Sequence, residues 1–86
     1  MAERFEKEIN SILFTFQKVF YMPKEEYRYS ASFEFEEKRY DLRFKKDDHG
    51  IWKLDNPSPD IPIDVNSIEN EFHRAIIHNI VAESND

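Results

Sequence analysis

Two neighbouring stretches alternate apolar and polar residues without a break, and this constrains the fold more than any other feature. Tyr27, Tyr29, Ala31, Phe33 and Phe35 interleave with Arg28, Ser30, Ser32, Glu34 and Glu36; Tyr40, Leu42 and Phe44 interleave with Asp41, Arg43 and Lys45. A strand points successive side chains to opposite faces, so each stretch reads as a half-buried strand, over about 27–36 and 39–46. With Glu37-Lys38 as a two-residue turn, Phe35 faces Tyr40, Phe33 faces Leu42 and Ala31 faces Phe44, which keeps the apolar residues together. Asp47-Asp48-His49-Gly50 reads as the next turn, with Asp at its start and the chain's only glycine in the left-handed position. A three-residue loop there sets Trp52 opposite Lys46 and Leu54 opposite Phe44, in a short third strand over about 51–54.

A different period governs the two ends. Phe5, Ile9, Ile12, Leu13, Phe16 and Phe20 fall in one stripe at helical spacing, which predicts a helix over about 3–21. Glu3 and Glu6 suit its first turn, and Pro23 ends it. Val65, Ile68, Phe72, Ala75, Ile76 and Ile80 form a second stripe and predict a helix over about 65–82, followed by a frayed tail, 83–86. Asp64 is the expected N-cap, with Asn66 and Glu69 as a rival cap and Ile63–Ile68 as a hydrophobic staple. Between lies a loop, 55–63, whose three prolines exclude helix and ladder. Ile61 and Ile63 are expected to pin it to the core.

The expected fold is therefore α+β, a two-layer α-β-β-β-α domain. A three-stranded antiparallel meander is covered on one face by two helices. The 86 residues make a single domain, 1–86, with no repeat. Thirteen large rings (eight Phe, four Tyr, one Trp) can fill a core of this size.

Composition removes several function classes. There is no cysteine, hence no disulfide and no thiolate metal site. No apolar run approaches the length of a membrane span, and the start Met1-Ala2-Glu3-Arg4 is charged, unlike a signal peptide. The expected setting is soluble and cytoplasmic. A net charge of −6 repels phosphate backbones, so nucleic acid is not an expected partner. The α-β-β-β-α order is shared with double-stranded-RNA-binding domains, which carry a lysine-rich start to the last helix. Here Asn66-Ser67-Ile68-Glu69-Asn70-Glu71 has two acids and no lysine, so the chain is not placed among them.

The polar clusters have no catalytic pattern. His73 and His78 lie too far apart around a helix to share a ligand. His49 sits with Asp47 and Asp48 in a solvated turn, and Asp55, Asp60 and Asp64 belong to a proline-bound loop without a calcium-loop glycine. One glycine cannot form a phosphate-binding loop, and no serine has a nucleophile-elbow context. Glu25-Glu26, Glu36-Glu37 and Asp47-Asp48 lie in turns or connectors. Arg28, Arg39, Arg43, Lys45 and Lys53 face outward among Glu34, Glu36 and Asp41, without the aromatics that stack on bases. No catalytic residue, cofactor or metal is expected.

Four apolar residues fall on the wrong side of their predicted helices: Phe14, Tyr21, Ile77 and Val81. They form the expected partner surface, since clustered exposed apolar groups mark interfaces. The expected function is a non-enzymatic protein-interaction module, whose partner is another protein or a second copy. The alternative is a small acidic inhibitor of a basic partner: an immunity protein, an antitoxin or a nucleic-acid mimic.

Overall fold

In a computed structural model that describes residues 4–84, five strands form one antiparallel sheet in simple sequential order. They are β1 (Arg4–Ile9), β2 (Ile12–Tyr21), β3 (Glu26–Phe35), β4 (Lys38–Lys46) and β5 (Trp52–Leu54). One helix, α1 (Glu69–Ser84), follows a 3-10 turn at Val65–Ile68 and lies across a single face. The expectation of three strands and two helices is thus overturned. Glu3 and the last two residues of the expected tail, 85–86, lie outside the described residues.

The N-terminal helix is replaced by the β1–β2 hairpin. Asn10 and Ser11 both have positive φ, 53° and 66°, which gives the two-residue turn whose twist matches antiparallel strands. The turn reverses the chain between two runs of period two: Phe5 and Ile9 on one side, Ile12, Phe14, Phe16 and Phe20 on the other. Joined across a two-residue turn, these runs fall at intervals of three and four and imitate a helical stripe. The composition of β2, rich in aromatic and β-branched residues, favours the strand. Phe14, set outside by a helical reading, is buried, while Leu13, set inside, is half-exposed.

The predicted faces of β3 and β4 hold, but their register is shifted by two residues. Phe33 faces Tyr40, Ala31 faces Leu42 and Tyr29 faces Phe44. The turn is Glu36-Glu37, one residue earlier than expected, with both residues at positive φ (52° and 67°). Neither is a favoured turn residue, so each carries a left-handed backbone at about 1 kcal/mol or more. The inward side chains of β3 and β4 set the pairing, and the turn accepts that strain. The β4–β5 register is as expected, with Lys46 opposite Trp52 and Phe44 opposite Leu54.

The β4–β5 turn is held by Asp47. Its Oδ1 accepts the N–H groups of His49 (2.8 Å) and Ile51 (2.9 Å), and Gly50 supplies φ 80°. The Ile51 N–H, foremost among the surrounding groups, lowers the Asp47 carboxyl below the ordinary carboxylate range. A carboxyl lowered in the folded state stabilises above its unfolded value, about 3.9, and loses that contribution as pH falls through the lower native value. Asp47→Ala should therefore lower the unfolding midpoint at neutral pH. In paired denaturation curves the gap from wild type should close in acid below about pH 4; a gap that persists would show that the carboxylate is not what holds the turn.

The core is aromatic. Phe72 of α1 inserts among rings of the sheet, with centroids 5.0 Å from Phe14, 5.2 Å from Phe44 and 6.1 Å from Phe16. Phe5 stacks on Phe16 at 4.7 Å, and Phe33 on Tyr40 at 5.4 Å. Val65, Ile68, Ala75 and Ile76 complete the layer, so the second predicted stripe is the buried face of α1 and the turn before it. Ile61 and Ile63 pack against this core from the loop. Asp64 makes no side-chain cap; instead the Ser67 hydroxyl donates to the Asp64 carbonyl at 2.8 Å.

Candidate functional site

The four residues of the expected partner surface are not brought together. Phe14 is fully buried between Phe33 and Phe72. Tyr21 lies on the sheet face away from the helix, where the Arg28 guanidinium stacks on its ring at 3.7 Å. Ile77 is half-buried against the core, and Val81 is exposed near the end of α1.

Exposed apolar side chains gather elsewhere, at the far end of the β2–β3 hairpin. The two strands pair as far as Tyr21 and Glu26, joined by a 3-10 turn at Met22–Lys24 and a left-handed Glu25. The inward alternation runs on to this end, but its cover does not. Tyr29 is buried, edge-on to Trp52 at 5.2 Å, whereas Tyr27, two residues earlier, is 60% exposed. Phe20 (47%) and Met22 (71%) are exposed with it. The reason lies in pairing: β4 pairs with β3 only as far as Tyr29–Phe44 and then continues to Lys46 against β5, so the hairpin end stands apart from the layer that α1 and β5 close.

The projecting end is ordered by its own contacts. Phe20 and Tyr27 are cross-strand partners with rings 5.1 Å apart, and Lys18 Nζ sits 4.8 Å over the Tyr27 ring. On the other side Arg28 donates to Glu26 Oε1 from two nitrogens, at 2.8 and 3.1 Å, while stacked on Tyr21. Where the β3–β4 pairing ends there is a notch of about 340 Å³ lined by residues that include Val19, Phe20, Arg28, Tyr29 and Arg43. Aromatic groups rimmed by charges, beside a cleft, suit recognition of an apolar side chain on another protein.

The groups weighed for chemistry stay apart or serve structure. His49 lies in the Asp47 turn. Among the described residues no three His, Asp or Glu side chains are grouped to hold a metal ion. His73 and Glu69 have a role the sequence did not disclose: His73 Nδ1 accepts the Trp52 N–H at 3.0 Å, and Glu69 Oε2 accepts the Leu54 N–H at 2.8 Å. His73 therefore carries its ring proton on Nε2. The outward basic residues are partly matched by Arg39–Asp41 (3.7 Å), Lys45–Asp55 (3.9 Å) and Lys53–Glu69 (3.8 Å). No helix among the described residues is long and apolar enough to cross a membrane. Comparison with family models, curated proteins and solved structures yields no match.

Proposed function

We propose that this chain is a non-enzymatic protein-interaction module that engages a partner through the projecting end of the β2–β3 hairpin. One observation carries the reading: Phe20, Met22 and Tyr27 stay exposed on a domain that buries most of its other large rings. The adjoining notch offers a seat for one apolar anchor of the partner. The module needs no cofactor for this.

The test is paired affinity capture from the native host, with wild type and a Phe20→Ser/Tyr27→Ser variant. Both positions are exposed, so circular dichroism should show the variant folded. A partner held by these rings should be lost, with affinity lowered at least tenfold, and wild-type binding should weaken only modestly with salt. Capture that is indifferent to the rings, or that falls steeply with salt, would sink this reading; steep salt dependence favours the acidic-inhibitor alternative.

A further inference from the structure

The two edges of the sheet are treated differently. At β5 the N–H groups of Trp52 and Leu54, which point off the sheet, are taken by His73 and Glu69, so α1 closes that edge. At β1 the pairing can be read outward from its turn. A two-residue turn makes Ile9 and Ile12 a mutually hydrogen-bonded pair, and the bonded pairs then alternate, so Lys7–Phe14 and Phe5–Phe16 are bonded within the sheet. The backbone groups of Arg4, Glu6 and Glu8 therefore point away from β2. Among the described residues no hydrogen bond reaches them. Beside this edge, on the helix face, runs a groove of about 430 Å³ floored by Phe5 and Ala75 and rimmed by Lys7, Glu71, Arg74 and His78.

We propose that the occupant of this edge is a second copy of the chain, joined antiparallel through β1 about a two-fold axis at Phe5. Charge selects both the occupant and the register. Centred on Glu6, the pairing opposes Glu6 to the partner's Glu6; centred on Lys7, it opposes Lys7 to the partner's Lys7; centred on Glu8, Glu8 to the partner's Glu8. Like charges directly opposite are destabilising. Centred on Phe5, each Arg4 faces the partner's Glu6, and the two Phe5 rings meet on the helix face. Arg4 and Glu6 are also the residues whose backbone groups point outward, so they supply the ladder hydrogen bonds. Phe5 is half-buried and stacked on Phe16, already ordered for the contact. A strand added here directs the partner's Phe5 toward the groove at Ala75. Lys7, a charge on the inward side of an edge strand, guards against the other registers.

Sedimentation of the whole chain tests this. Wild type should dimerise reversibly with rising concentration. Arg4→Glu and Glu6→Arg, each at an exposed position, should leave the monomer folded and weaken the dimer at least tenfold. Arg4→Glu/Glu6→Arg together should restore it, because the swapped charges again face each other. In unmodified protein, the Glu6 amide should gain hydrogen-exchange protection only at concentrations where the dimer forms, which keeps the test independent of any variant. Phe20→Ser/Tyr27→Ser should dimerise like wild type, since this contact does not rest on the hairpin end. A wild type that stays monomeric at high micromolar concentration, single variants that still dimerise, or a double swap that fails to restore the dimer would each overturn the proposal.

Discussion

Phe14→Glu should not fold. Phe14 has no exposed surface and meets Phe33 and Phe72 at 5.0 Å each, so the substitution forces a carboxylate among buried rings, where buried polar company among the described residues is limited to Asn79. Removing a buried Phe costs about 3–5 kcal/mol from lost packing alone. An unpaired buried charge adds several more, and the total approaches the whole stability of a domain of this size, about 5–15 kcal/mol. Val81→Glu, at an exposed position of α1, should change stability by less than about 0.5 kcal/mol. Far-ultraviolet circular dichroism and urea titration of the two variants decide the matter. A folded Phe14→Glu protein would mean that β2 does not turn this residue inward.

The second large effect is expected where α1 closes the β5 edge. His73→Phe keeps the bulk of the ring but removes the acceptor of the Trp52 N–H, and Glu69→Leu does the same for the Leu54 N–H. Each partly buried donor left without a partner costs about 1–3 kcal/mol, and more where the lost acceptor was charged. The double variant should lose roughly 3–5 kcal/mol by the same reasoning, and β5 should exchange its amides early. Glu69→Gln, which retains a carbonyl oxygen, should be much milder. Urea midpoints measure the total, and hydrogen exchange at Trp52 and Leu54 reads the edge directly. Unchanged protection of the Trp52 amide in His73→Phe would show that the histidine is not its cover.

The facing of each strand was legible wherever a side-chain alternation ran unbroken. Tyr27 to Phe35, Tyr40 to Phe44 and Trp52 with Leu54 point as their period requires, because a strand has only two faces and a slip of one residue would expose every ring. The Asp47 turn was equally legible, since its aspartate and glycine are the residues its geometry demands. The β3–β4 turn was not. A shift of two residues leaves every face unchanged, and Glu36-Glu37 carries no turn signature, so only packing across the sheet chose the register.

What the sequence by itself determined is which side of β3, β4, β5 and α1 is buried, because those patterns depend on the backbone period alone. What only the tertiary structure decided is the state of residues 4–21, where two short strands across Asn10-Ser11 and one helix present nearly the same apolar spacing. The conflict is resolved by partners far along the chain. As strands, Phe14 and Phe16 meet Phe33, Phe44 and Phe72, and β2 satisfies the backbone of β3 as well as that of β1. The candidate interaction end had the same fate. Phe20 and Tyr27 carry the signature of core residues, and they are exposed where β2 and β3 stay paired beyond Tyr29–Phe44, the point at which β4 leaves β3.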